Sequence, residues 1–448
     1  GKGQEGVAVR ATGDREKCRV SAWARARLNG TPGETARSTI KVQAAVEAID
    51  YEPENESGKI SQGQAMANVM KTIMGAGSFA LPWAFANGGL VLTSVSLVLA
   101  CLLCLKSLEY LFRAKTAALE LEKLEASSVE GYVNIADITL GSSGGKLVRS
   151  ILFVTAFGVC SAYLVFLSST ISTITANFAL PSVFQEVKSL TYVVTPLMVC
   201  LAQLRSFSGV SIISIFGNVS VMTGMAFVLF KALQNPLALS ALPLAVPARF
   251  SAYVGSVAFL FLVHFTLPDI EANMKDRTKF LPAAATAYGI CAAVAFVFGV
   301  GVAIGYGPQV KSVAVAMLGE GALSALVKTL LCLNVLATFP LIVRSSFVSI
   351  ESALSLNVFT ASLMRAAYVC LAAFCAASIP SFGKLVGLVG GVACTALSLT
   401  IPVAMLFATN SRSVEARGKP IMSGFDKVIS AVLLVVSIII MVFVVITT

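Results

Sequence analysis

The sequence predicts an all-α polytopic membrane protein, and three observations carry that prediction. Of its 448 residues, 56% are hydrophobic and only 12% charged (mean hydropathy +0.84), a balance that no water-soluble domain sustains. Apolar runs long enough to cross a bilayer recur along the chain, about eleven of them at about 20 residues each. Two of these runs, one in each half, are broken mid-run by residues that a lipid-facing helix avoids.

Taken in order, residues 1–60 mix Arg, Lys, Glu, Asp, Gly and Ser without an apolar period, and read as a disordered cytoplasmic tail that offers a surface to a cytoplasmic partner. Its acidic residues Glu5, Asp14, Glu16 and Glu34 argue against a transit peptide. Residues 61–448 form the membrane domain, with spans predicted near 64–87, 90–112, 147–176, 190–205, 209–234, 251–275, 282–306, 322–345, 357–379, 383–408 and 425–447. Between the second and third, Leu119–Glu125 has the pattern of a short amphipathic helix, and Gly141–Gly145 reads as a loop leading into the third span. In the tenth, Gly383, Gly387 and Gly391 leave one helical face almost bare, the pattern of close helix packing.

The formal net charge of +10 does not point to nucleic acid. Its cations fall where the positive-inside rule expects them if the N-terminus is cytoplasmic: Lys115, Lys123 and Lys146, then Arg205, then Lys275, Arg277 and Lys279, then Arg412, Arg417 and Lys419. The opposite loops near 236–250 and 307–321 offer only Arg249 and Lys311, and an odd span count leaves the C-terminus outside. Lys328, Arg344 and Arg365 read as span-end charges.

Cys18 apart, the ten cysteines lie within apolar spans. Cys101 and Cys104 have the spacing of a metal or redox pair but lack a partner pair or a nearby His, so they read as small buried hydrophobes and no metal site is expected. The acceptor patterns at Asn29 and Asn55 fall in the tail, where modification is not expected. Paired catalytic Asp residues, metal-ligand clusters and nucleotide loops are missing from the sequence, so an enzyme is not expected.

The two breaks carry the functional reading. The first runs Lys71-Thr72-Ile73-Met74-Gly75-Ala76-Gly77-Ser78-Phe79-Ala80-Leu81-Pro82, the second Phe261-Leu262-Val263-His264-Phe265-Thr266-Leu267-Pro268-Asp269-Ile270-Glu271. A broken helix frees backbone N–H and C=O groups that hydrocarbon cannot satisfy, so they must line a cavity or a ligand site. Amides exposed at the start of the second half-helix favour a carboxylate, and exposed carbonyls favour an ammonium group or a cation. Breaks in the first and sixth spans divide ten spans into five plus five, the pattern of a secondary transporter with its site at the midplane. The alternative for the glycines alone is a packing notch.

Titratable residues near the breaks are the coupling candidates. His264 is the sole histidine and lies at the second break, either as a proton site or as a neutral ring satisfying a freed carbonyl. Asp269 suits the start of a half-helix for structural reasons, which makes Glu271 the better gate or proton site, paired with a base on a neighbouring span. Lys71, one turn before the first break, either stands where a sodium ion would bind or snorkels to the interface. Asn334 and Thr338 on the eighth span offer polar contacts to substrate or cation, or hold helices together.

These motifs together resemble the amino acid/auxin permease family over roughly 60–448. The first span reads Lys, then Gly-x-Gly, then Leu-Pro, closed by Gly88-Gly89. The third carries Gly158, Cys160, Tyr163 and Phe166; the sixth ends Leu267-Pro268-Asp269-Ile270-Glu271, similar to the vesicular inhibitory and proton-coupled branches. Phe339-Pro340-Leu341 and Ile379-Pro380-Ser381-Phe382-Gly383 also match. The resemblance implies an eleven-span protein with a LeuT-like 5+5 inverted-repeat core that moves amino acids by alternating access. It places substrate at Met74, Gly75, Ala76, Gly77 and Ser78, at Phe261, Leu262, Val263, His264 and Phe265, and at Tyr163. Lys71 stands where the sodium-coupled neutral branch has Asn, and that branch's His-Pro-Glu run is absent. The expectation is therefore a proton-coupled transporter of small neutral amino acids, without a cofactor, in the plasma membrane or a vacuolar or lysosomal-type endomembrane. A sodium-coupled permease and an amino-acid-sensing receptor without net transport are the alternatives.

Overall fold

The computed structural model describes residues 60–125, 129–176, 181–204, 210–235, 242–354, 356–379 and 381–447. The readings made for the tail, for Arg205 and for Pro380 lie outside the described residues.

Among the described residues, eleven helical spans follow one another near the expected positions. Eight are long and apolar enough to cross a membrane unaided. Of the others, the fourth (Val187–Ala202) is short, the fifth is Val210–Leu233, and the first is in two pieces, Gln62–Ile73 and Leu81–Gly88. The remaining spans are Leu90–Glu122, Tyr132–Thr175, Ser251–Ala272 (broken), Phe280–Tyr306, Ala322–Ala353, Val358–Ser378, Phe382–Arg417 and Gly424–Thr447. Helices dominate because hydrocarbon offers backbone groups no partner outside their own segment. The first span starts on a capping box: the Gln64 N–H donates to the Ser61 hydroxyl, and the Ser61 N–H to the Gln64 side chain at 2.8 Å.

Two expectations are corrected between the second and third spans. No separate amphipathic helix forms at Leu119–Glu125, because Ala, Leu, Glu and Lys sustain helix and the second span runs on to Glu122. Gly141–Gly145 is not a loop either. The third span begins at Tyr132 and turns a corner at Gly141, whose φ of 75° only glycine adopts cheaply. Lys115, expected in a loop, is therefore buried within the second span.

The sixth and tenth spans widen into π-helix at Ser251–Gly255, Gly390–Cys394 and Ala396–Thr400. They pack backbone against backbone: a Cβ on Gly255 would lie 2.1 Å from the Gly387 carbonyl oxygen, and one on Gly390 would lie 2.2 Å from that of Gly255. Gly383 faces the Trp83 ring and Gly391 faces Val444, so the bare face of the tenth span is a packing face. Cys104 is buried and Cys101 half-buried, and no metal-holding cluster occurs among the described residues.

Candidate functional site

The two breaks share one local geometry. At each, the last helical turn closes normally, Met74 N–H to Met70 and Leu262 N–H to Ala258. The chain then makes an inverse γ-turn, centred on Met74 (φ −90°, ψ 73°) and on Leu262 (φ −85°, ψ 68°), in which Gly75 donates to Ile73 and Val263 to Phe261. A 3-10 turn follows, Ser78 donating to Gly75 and Thr266 to Val263 at 3.1 and 3.0 Å. Helix resumes with a proline in its first turn, Pro82 and Pro268, where a missing N–H costs nothing. Two stretches that share little sequence thus fold the same way.

What each break frees follows from that geometry. Gly75 turns to Ile73, so the Lys71 carbonyl loses its usual donor, and the Thr72 carbonyl loses Ala76. The N–H groups of Ala76 and Gly77 lead the 3-10 turn without a backbone acceptor among the described residues. One break therefore presents amides and carbonyls side by side. Met74, Ala76, Gly77, Ser78, Phe261, Leu262, Val263 and His264 are all buried, while Gly75 and Phe265 are partly so.

Neighbouring spans hold the second break in place. The His264 ring donates from Nε2 to the Cys104 carbonyl at 2.9 Å, and its backbone N–H faces the Ser398 hydroxyl at 3.4 Å. That bond leaves Nδ1 unprotonated and, among the described residues, without a partner although fully buried. Ser107 donates to the Ser398 carbonyl at 2.5 Å, and the Tyr132 hydroxyl to that of Leu397. From the seventh span, Tyr288 donates to the Phe261 carbonyl at 2.9 Å. These partners escape sequence reading because they come from the second, third, seventh and tenth spans, far from the break in sequence. Tyr288→Phe is expected to lower stability by about 1 kcal/mol, since Val263 still serves the carbonyl; a thermal melt in detergent checks it.

The coupling candidates separate. Glu271 meets Lys115 of the second span at 2.7 Å, with both side chains nearly buried. Lys71 lies half-buried in the last turn before the first break, and Tyr163 is partly buried on the third span. Asn334 packs its amide oxygen against Gly217 of the fifth span, and Thr338 donates to the Asn334 carbonyl of its own helix at 2.7 Å. The structure thus gives both a local contact. Arg365, expected as a span-end charge, is buried and pairs with Glu351 at 2.6 Å.

The two ends of the bundle differ. Where the first span begins, Ile60 bridges to Met274, Arg277 pairs with Glu130 at 3.0 Å, and Arg412 meets Glu122. At the other end a cavity of about 380 Å³, lined by Trp83, Ser169, Lys311 and Ser381 among others, joins a second of about 330 Å³ through Thr173, Lys311 and Ala316. No residue of either break lines this vestibule. Phe79 contacts Phe166 at 6.0 Å between ring centroids, and Phe166 contacts Phe382 at 5.6 Å, all three buried. These rings lie between the third span, the tenth span and the residue that follows the first break.

Comparison with known proteins agrees with this geometry. A model of the family described as "Transmembrane amino acid transporter protein" matches residues 58–447. The chain is 26% identical over 365 residues to amino acid transporter AVT3C of Arabidopsis thaliana, covering 76% of this chain and 81% of that protein. It is 23% identical over 319 residues to vacuolar amino acid transporter 3 of Schizosaccharomyces pombe, covering 69% of this chain and 45% of that one. In structure it is similar to MhsT in complex with L-phenylalanine (TM-score 0.55, 11% identity, 87% of this chain and 99% of the other), a likeness of fold.

Proposed function

We propose, from the premise that this chain belongs to the transmembrane amino acid transporter family, that it is a proton-coupled secondary transporter of small neutral amino acids. The paired breaks carry the reading. The free Ala76 and Gly77 amides, at the head of a turn that feeds a helix N-terminus, suit a carboxylate. The carbonyls of Lys71 and Thr72 suit the ammonium group. The Phe259 ring would lie 2.6 Å from a methyl group on Gly77, and Phe261, Leu262 and Val263 are apolar, which favours a small uncharged side chain. Closure at one end and a vestibule at the other fit one stage of alternating access.

The proton goes to His264. Its ring is held by Cys104 through Nε2 while Nδ1 keeps a lone pair without a partner, so protonation there breaks no existing bond. The cation distribution supports a cytoplasmic N-terminus, and the vacuolar relative favours an acidic endomembrane compartment whose lumen faces the vestibule. Export of amino acid to the cytosol follows.

Uptake of a labelled amino acid panel into proteoliposomes, with an imposed proton gradient and no sodium, tests this. Wild type should accumulate substrate and lose it when the gradient collapses. His264→Gln should keep counterflow exchange, because an amide still donates to Cys104, yet lose gradient-driven accumulation at least ~10-fold, consistent with loss of a general proton acceptor. Accumulation by the variant equal to wild type removes His264 from coupling. Uptake only with sodium moves the chain to a sodium-coupled permease, and binding without uptake makes it a sensor.

A further inference from the structure

Three Lys or Arg side chains are buried among the described residues: Lys115, Arg365 and Lys328. The first two meet carboxylates at 2.7 and 2.6 Å. Lys328, only 3% exposed, has no carboxylate within salt-bridge distance among the described residues. It sits in the eighth span, which starts at Ala322, and lines the second chamber of the vestibule. A buried ammonium with no carboxylate in contact is costly, and this one faces open volume, with Glu320 acting on it only from beyond salt-bridge distance. Lys311 lines both chambers and adds a second cation, while Glu320 contributes one carboxylate.

We propose that the vestibule is a separate binding site for a carboxylate, with Lys328 as its principal cation. Lys311 closes the site from the solvent side, and Ser169, Ser312 and Ser381 supply hydroxyl donors not committed to the protein among the described residues. Ser172 and Thr173 are spent on the Gln185 and Thr170 carbonyls and contribute no donor. Glu320 suits an ammonium group on the same ligand, so a zwitterionic amino acid fits with its carboxylate inward. That identity rests on the transport reading above; the carboxylate site itself does not. Its place outside the aromatic contacts of Phe79, Phe166 and Phe382 makes it a station before the breaks, not part of them.

The vestibule carries its own reporter. Trp83 lines the first chamber and is one of two tryptophans in the chain, so Trp23→Phe leaves a single fluorophore beside the site. N-acetylglycine, a carboxylate without an ammonium group, should change Trp83 fluorescence saturably, and glycine methyl ester should not. Lys328→Gln should weaken the acetylglycine response at least ~10-fold, and Lys328→Arg, which keeps the charge, should retain it. Equal affinity in Lys328→Gln, no saturable response to acetylglycine, or an equal response to the ester overturns the site. Uptake by the same Trp23→Phe protein separates the two readings. Uptake without a Trp83 response sinks the vestibule site alone, and a response without uptake sinks the transport reading alone.

Discussion

Glu271→Ala is expected to destabilise the protein by about 3–5 kcal/mol, because it strands the Lys115 ammonium in a buried position. The two side chains are 4% and 10% exposed and meet at 2.7 Å, so water can replace little of what the carboxylate supplies. Lys115→Met should cost a similar amount by stranding the carboxylate. The double variant Lys115→Met/Glu271→Leu should recover most of the lost stability, since an apolar pair of similar volume avoids both desolvation costs. The pair ties the second span to the second half-helix of the sixth, at the end that is closed here. Recovery of stability should therefore not bring recovery of function. The double variant is expected to melt like wild type and to take up substrate at least ~10-fold more slowly, because the closed end has lost its charged latch. Thermal melts with proteoliposome uptake decide the matter. Single variants within about 1 kcal/mol of wild type would show that the pair is solvated and does not hold the end shut.

The reach of the sequence follows from which properties are local. Span positions were legible because apolar length is a property of one segment, and the breaks because Gly75-Ala76-Gly77 and Leu267-Pro268 interrupt that length. Lys115 was misplaced for a physical reason. A lysine after an apolar run ordinarily marks the interface, and only Glu271, on another span, makes burial tolerable. Asn334 and Thr338 show the converse. Both are polar at mid-span, but which face they present depends on Gly217 and on a carbonyl of their own helix. Ser398 and Tyr288, which touch the second break, and Ser107 and Tyr132, which hold the tenth span beside it, are unremarkable in sequence and meet only once the spans assemble. The shared γ-turn geometry of the breaks was equally hidden, since Met74-Gly75 and Leu262-Val263 have no residue in common. The π-turns of the sixth and tenth spans left no sequence mark beyond their glycines.

Those glycines set the second large effect. Gly255→Ala is expected to cost about 3 kcal/mol or more and to abolish uptake, because its methyl group would lie 2.1 Å from the Gly387 carbonyl oxygen and 2.6 Å from the carbon behind it. No rotamer change relieves that contact, since both sides are backbone. Gly390→Ala meets the same obstacle from the tenth span, with the Gly255 oxygen at 2.2 Å and the Phe259 nitrogen at 2.3 Å. Gly77→Ala makes the instructive contrast. Its methyl group would meet only the Phe259 ring, at 2.6 Å, and a side chain can turn away. It should cost about 1–3 kcal/mol, and Phe259→Leu placed on it should restore much of the loss. The same Phe259→Leu should restore nothing to Gly255→Ala. Melting temperatures of these variants and their uptake rates test the difference. A Gly255→Ala protein that melts and transports like wild type would mean that the spans sit farther apart than this geometry requires. The contact matters because the helix it positions, Ser256–Phe261, delivers the chain directly into the second break. Half an ångström of displacement there moves Leu262, Val263 and His264 together, away from the Cys104 carbonyl and the Ser398 hydroxyl that hold them.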